Sequence, residues 1–232
     1  MIISHKYKYI FIKPKKVAGT SVEVSLAKHL GKTDVWPPLT RYSESHDKDK
    51  YTISPQNYKG YYDHLSPLEI KEKTGKKIWS EYFKFTVVRN PWDLVVSSYF
   101  WEVNKRVSLT DYLSVLNFKA LKDYARDPQK LFLTRPKSFR SFVENLPKAY
   151  INTDFYFYPN GKPVENFYIR FENLEKDFKR VCKKLKIPYV KLLSLKSKTR
   201  KTKNYAGFYD KRIREIVADI FKKEIKYFNY RF

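Results

Sequence analysis

The stretch from Tyr9 to Leu30, YIFIKPKKVAGTSVEVSLAKHL, restricts the possible folds more than any other part of the chain. Tyr9, Ile10, Phe11 and Ile12 form an aromatic and β-branched run of strand length. Pro14 has no N–H to give to a ladder, so it ends the strand. Gly19 lets the backbone pass close to a ligand, and Thr20 and Ser21 place hydroxyls at a helix start. Val22, Leu26 and Leu30 recur at the spacing of one helical face. Strand, basic turn and helix thus follow within one short segment. Lys13, Lys15 and Lys16 sit in the turn, beside the positive end of the helix dipole. That is the environment an anionic phosphate or sulfate group needs. An ordinary strand-to-helix turn with solvated lysines has the same pattern, so this stretch alone does not decide between them.

Farther along, Phe83 to Arg89, FKFTVVR, becomes continuously apolar, as suits a central parallel strand. Asn90 and Pro91 read as N-cap and first helical residue. Trp92, Val95, Val96, Tyr99, Phe100 and Val103 then mark one helix face. A second strand, turn and helix therefore repeats the first, and the fold class expected is α/β. A central, mostly parallel sheet is flanked by helices in a P-loop-like nucleotide-binding architecture. In such sheets ligands bind beyond the carboxyl ends of the strands. Lys16, Gly19, Thr20 and Ser21 lie at one such end, and Arg89 at another.

Between the two units, Gly31 to Tyr62 reads as a long irregular excursion, broken by Pro37, Pro38, Pro55 and Gly60. Trp36, beside two prolines, is the tryptophan expected to be exposed. Ser66, Pro67 and Glu69 form a capping-box helix start, with Gly75 closing that helix and another helical turn at Ile78 to Tyr82. Later helices are expected over Ser108 to Arg126, over Ser138 to Leu146, after Asn173, and along the stripe from Ile213 to Phe228. Asn160-Gly161 between Phe155–Tyr158 and Val164–Phe171 signals a hairpin. With 232 residues, no internal repeat and no low-complexity linker, residues 1–232 are read as one domain.

Charge narrows the partners without naming one. Forty-eight lysines and arginines face 24 acids, so the field attracts polyanions: nucleic acid, anionic lipid, or sulfated or phosphorylated ligands. Cys182 is the single cysteine, which rules out an internal disulfide and fits a reducing, cytoplasmic setting. No apolar run of about 18 residues is present, so no transmembrane segment is expected, and the N-terminus lacks the apolar core of a cleaved signal. No Walker A, GxGxxG, HExxH or CxxC pattern occurs, which removes support for ordinary nucleoside triphosphate, dinucleotide and structural-zinc readings.

KPKKVAGTSVE followed by FTVVRNPWDLVVSSY resembles the paired nucleotide signatures of the sulfotransferase family, in particular the branch of carbohydrate and heparan-type sulfotransferases. IRFENLEKDF and the C-terminal segment resemble recurring family segments, so the likeness spans nearly the whole chain. The resemblance implies that Lys15, Lys16, Val17, Ala18, Gly19, Thr20 and Ser21 hold the 5′-phosphosulfate of 3′-phosphoadenosine-5′-phosphosulfate. It implies that Arg89 and Ser97, eight residues apart, hold the 3′-phosphate. The family lysine falls on Lys16 and the family proline on Lys15, with Pro14 one place early and Val17 where the family has threonine. Both lysines therefore stand as candidates for the sulfate side. Leu94 replaces an arginine common in the family.

The implied activity is transfer of a sulfuryl group to a hydroxyl of an acceptor, carbohydrate being favoured, with adenosine 3′,5′-bisphosphate as product. Such transfer rests on positioning and fixed positive charge, and no metal is required if lysines and N–H groups meet the anion. The acceptor needs a base, for which histidine is suited. Of the four histidines, His5 and His29 read as surface or structural, and His46 lies in a polar loop. His64, in YYDHLSP, matches the place where related sulfotransferases carry a histidine base, and Asp63 either orients it or is itself the base. Lys198, Arg200 and Lys201 close over the 3′-phosphate and adenine in the family pattern. They otherwise bind an anionic acceptor or form a solvated loop. Two rivals remain: a non-catalytic polyanion or nucleic-acid binding protein, although nucleic acid is not the partner expected, and a degenerate P-loop kinase.

Overall fold

The structure is a computed structural model that describes residues 1–39, 54–104, 136, 138–193 and 204–232. The helix expected over Ser108 to Arg126, His46, and Lys198, Arg200 and Lys201 lie outside the described residues. In chain order the strands are β1 (Ile2–Ser4), β2 (Tyr9–Phe11), β3 (Phe83–Val88) and β4 (Phe167–Arg170). The helices begin with α1 (Gly19–Ala27), α2 (Pro67–Glu81), α3 (Pro91–Val103) and α4 (Phe139–Glu144). They continue with α5 (Thr153–Tyr156), α6 (Leu174–Leu185), α7 (Lys211–Ile220) and α8 (Lys222–Phe228). The chain divides into two units, Met1–Asn90 with Asn152–Lys196, and Pro91–Ile151 with Ser197–Phe232.

The first unit holds the sheet, in the order β1-β2-β3-β4. β1 pairs antiparallel with β2, while β2, β3 and β4 run parallel, with Phe11 opposite Phe85 and Val88 opposite Arg170. Strand side chains alternate between faces. Ile10 and Ile12 join Ile3, Leu65, Ile70 and Trp79 in one buried cluster that seats α2. Phe11 and Tyr9 instead meet the ring of Phe85, at 5.3 and 5.6 Å between centroids. Each such residue fully buried contributes about 1.5–3 kcal/mol. The parallel sheet with helices confirms the α/β class.

α2 starts as its sequence demands. Ser66 accepts from the Glu69 N–H at 3.3 Å, and Glu69 Oε2 accepts from the Ser66 N–H at 2.8 Å. Leu65 just ahead of the cap and Ile70 inside the first turn are fully buried in the same cluster, a hydrophobic staple on the capping box. Gly75, at φ 78°, ends the first helical piece as expected, and a second piece follows across the kink. α1 differs from expectation. It stops at Ala27, before Leu30, and Ser21, Glu23 and Ser25 are buried along with Val22 and Leu26. It runs through the interior instead of presenting one stripe.

Two sequence expectations are corrected. Trp36 is 2% exposed, because its N–H and C=O both bond to Gln56 (2.9 and 3.0 Å) and draw it into the body of the unit. The Asn160-Gly161 signal does produce a reversal, with Gly161 at φ 83° and a bridge between Phe157 and Pro163. However, Phe155 and Tyr156 are helical, and β4 pairs with β3 in parallel, not with the hairpin's first arm.

The second unit is helical among its described residues. Pro91 opens α3, Ser138 caps α4, and Asp210 caps α7 by accepting from the Ile213 N–H at 3.0 Å. The expected C-terminal stripe is two helices, divided at Phe221. Tyr99 meets Phe139 edge-to-face and Phe142 at a tilt, and Trp92 Nε1 donates to the Arg214 carbonyl at 3.1 Å.

Candidate functional site

The carboxyl end of β2 passes directly into the basic turn. The Ile12 N–H donates to the Phe85 carbonyl at 3.0 Å, and Thr86 Oγ1 donates to the Ile12 carbonyl at 2.8 Å, so β3 fixes the exit. Lys15 is then clamped by one side chain: its N–H donates to Asn152 Oδ1 at 3.2 Å, and Asn152 Nδ2 donates to its carbonyl at 2.9 Å. Lys16 and Ala18 both adopt left-handed backbone, φ 62°, on either side of fully buried Val17. A non-glycine residue in that region carries about 1–2 kcal/mol of strain, which surrounding contacts must hold in place. The N-terminus of α1 follows. No side chain caps it and its first turn has no acid, unlike α2 with its capping box. Its dipole is left facing the turn that carries Lys15 and Lys16.

Arg89, at the end of β3, reaches that same turn. Its Nη1 donates to the Lys16 carbonyl at 2.7 Å, and its guanidinium lies 4.0 Å from the centre of the Phe171 ring. The Asn90 N–H next to it donates to Glu172 Oε1 at 2.7 Å. The turn after β4 thereby holds the end of β3. Lys15, Lys16, Val17, Ala18, Gly19, Thr20 and Ser21 form one continuous loop and helix start, and Arg89 adjoins it. Ser97 is on α3, half-buried, in the second unit.

Lys13 does not join Lys15 and Lys16 in the basic turn as the sequence suggests. It is 3% exposed and turned inward, where Nζ bonds Glu23 Oε2 at 2.5 Å and Asp63 Oδ2 at 2.8 Å. The N-terminal ammonium of Met1 bonds the remaining oxygens, Glu23 Oε1 at 2.6 Å and Asp63 Oδ1 at 3.2 Å. Two cations and two carboxylates thus close a buried, neutral ring. Burial opposes each charge, but the partners win. Glu23 and Asp63 hold the Lys13 ammonium above its usual range. The N-terminal ammonium and Lys13 hold the Asp63 carboxyl well below the usual carboxylate range. Gly19 is required here for a reason other than ligand approach: a Cβ would come within 2.8 Å of Lys13 Cγ.

His64 stands at the edge of this ring in left-handed backbone, φ 62°. Its Nδ1 is 2.8 Å from the Lys13 carbonyl, which can only accept, so the proton belongs on Nδ1 and the lone pair on Nε2. Nε2 is 3.5 Å from Asp63 Oδ2, and the side chain is 25% exposed. Burial, opposed by Asp63 and reinforced by Lys13, pushes the imidazole down to about 4, so it is neutral at pH 7. His5 is structural, with Nδ1 bonded to the Tyr82 hydroxyl at 2.8 Å. Among the described residues no group of three or more His, Cys, Asp or Glu could hold a metal ion.

A scan against known families matches the model of the sulfotransferase family over residues 1–231. The chain belongs to the sulfotransferase family. The match spans both units, and it accords with the cationic turn at the end of β2. Sulfuryl transfer is thus the general chemistry. In a search of curated proteins, an "Uncharacterized protein" of Archaeoglobus fulgidus is 31% identical over 122 residues, covering 51% of this chain and 80% of its own length. No solved structure matches.

Sequence reasoning missed three residues that shape the candidate site. Asn152 is 137 positions from the peptide it clamps, and nothing local marks it. Phe171 lies under Arg89 only because β4 pairs beside β3. Glu23 was the one with a visible signal: an acid among Val22, Val24 and Leu26, ten residues after a lysine.

Proposed function

We propose that the chain transfers a sulfuryl group from 3′-phosphoadenosine-5′-phosphosulfate to a hydroxyl of an acceptor, with carbohydrate the favoured class. The observation that carries this reading is the meeting of three features at adjacent strand ends. They are the uncapped N-terminus of α1, the turn bearing Lys15 and Lys16, and Arg89 bonded into that turn. Backbone N–H groups, lysines and an arginine are the donor set that phosphate and sulfate oxygens require. When bound, the nucleotide supplies an activated sulfuryl group on a phosphate leaving group.

The chain's own residues do the rest. Lys16, aligned on the family lysine, neutralises charge at the sulfate side, with Lys15 the alternative. Thr20 and Ser21 add hydroxyl donors at the helix start. Arg89 pairs with the 3′-phosphate. Assignment of Ser97, Lys198, Arg200 and Lys201 to the nucleotide rests on the family pattern alone. His64 is already neutral and has its lone pair on Nε2, so it accepts the acceptor's hydroxyl proton there as the new O–S bond forms. The imidazolium then faces Asp63. Asp63 itself is a poor base, since two ammonium groups hold it ionised. Cys182 is buried, with its thiol pushed up to about 11 by burial, which suits the cytoplasmic setting we propose.

Calorimetric titration tests the reading. Adenosine 3′,5′-bisphosphate should bind without Mg²⁺. A folded protein that ignores this nucleotide but binds ATP with Mg²⁺ contradicts it and favours a kinase. Binding to many polyanions that weakens steeply with salt, with no such nucleotide affinity, favours the non-catalytic reading.

A further inference from the structure

We propose that Lys13 is a positioning residue for the proton-accepting His64, acting through its carbonyl and its ammonium at once. This rests on the assignment of His64 as the base. The backbone end of Lys13 takes the Nδ1 proton of His64 at 2.8 Å, which leaves Nε2 free. The side-chain end holds Asp63 Oδ2 at 2.8 Å, and that same oxygen is 3.5 Å from His64 Nε2. One residue therefore fixes which nitrogen is basic and also anchors the acid that faces it.

The local structure is built around this double contact. Glu23 of the buried helix α1 takes the other side of the ammonium at 2.5 Å. Gly19 leaves room for the lysine stem, and Leu65 with the capping box of α2 pins the loop that carries Asp63 and His64. The charged groups that face His64 are Asp63 from its own loop, Lys13 from the end of β2 and the Met1 ammonium ahead of β1. Glu23, on α1, reaches it through Lys13. Burial disfavours the imidazolium, and the two positive neighbours offset the acids, so the imidazole sits beside an ionised carboxylate and still stays neutral. Without the Lys13 ammonium, Asp63 acts less opposed and the imidazole holds its proton more tightly.

The test is the ionisation of His64 read by ¹⁵N and ¹³C NMR in the wild-type protein and in Lys13→Met, beside pH profiles of kcat/KM. In wild type, neutral His64 should show the Nδ1–H tautomer and titrate near pH 4. In Lys13→Met the midpoint should rise by about one unit or more, and kcat/KM at pH 5 should fall about twofold or more from its neutral plateau. Should Lys13→Met fail to fold, the wild-type spectra decide. An Nε2–H tautomer, or a midpoint at the ordinary histidine value, overturns the proposal. So does a folded Lys13→Met whose His64 titrates as in wild type. His64→Asn separates the two claims: wild-type turnover in that variant removes the base assignment, while the coupling to Lys13 is still judged from the titrations.

Discussion

Asp63 and Glu165 are both buried carboxyls of the first unit with a lysine nearby, yet at neutral pH one is ionised and the other is not. Asp63 has the Lys13 ammonium and the Met1 ammonium on its two oxygens, and stays charged. Glu165 is 8% exposed, and neither carboxyl oxygen has a hydrogen-bond partner among the described residues. Burial pushes it up to about 8. Its neighbour Lys84 gives its ammonium instead to the Trp79 and Tyr82 carbonyls, at 2.8 and 3.0 Å, at the end of α2. The difference teaches that depth does not decide charge. Where the lysine aims its donors does. The acid whose lysine bonds it lies beside the candidate catalytic histidine. The acid whose lysine caps a helix carries a standing penalty and no assigned chemistry.

The largest effect expected from this contrast is on stability. Lys13→Met leaves Glu23 and Asp63 buried with one cation between them, and should lower unfolding free energy at pH 7 by about 3–5 kcal/mol. Urea denaturation measures it, and a loss under about 1 kcal/mol would mean the ring is effectively solvated. Next comes Glu165→Gln, with the opposite sign. The native carboxyl holds its proton up to about pH 8, while the unfolded one ionises above 4.5, so native stability falls as pH rises through that window. Glutamine removes the penalty and should stabilise by about 3 kcal/mol at pH 7, with little gain below pH 4.5. An equal gain at pH 4 and pH 7 would show that the carboxyl is ionised or absent from the balance. The smallest effect sharpens the first half of the comparison. Ser66→Ala should cost about 1 kcal/mol by removing the cap of α2. If it also shifts the His64 titration, the loop geometry depends on the helix start and not on the ion ring alone.

The parts of this arrangement that could be read from sequence are those fixed by neighbours in the chain. The strand, basic turn and helix around Gly19, the apolar run of β3, Pro91 opening α3, and Ser66 with Glu69 all follow from local propensity, capping and periodicity. Long-range pairing was hidden. β1 is three residues long and carries no pattern of its own, and its partner is set by tertiary fit. Asn160-Gly161 favours reversal and marks β4 as a hairpin arm, but parallel pairing with β3 wins. At the site, the turn and Arg89 stood out by residue type, whereas Lys13 looked like its neighbours Lys15 and Lys16. Its inward orientation depends on Glu23 and Asp63, ten and fifty residues away. Trp36 illustrates the same point, since flanking prolines suggest exposure and only the bonds to Gln56 show otherwise.

The central claim is that the turn after β2 and Arg89 together grip a nucleotide bearing phosphates at both ends. It is tested most directly by comparing wild type and Arg89→Ala for affinity toward adenosine 3′,5′-bisphosphate. Loss of a charged phosphate partner should weaken binding by about 2–4 kcal/mol. Unchanged affinity in a folded variant would contradict the claim.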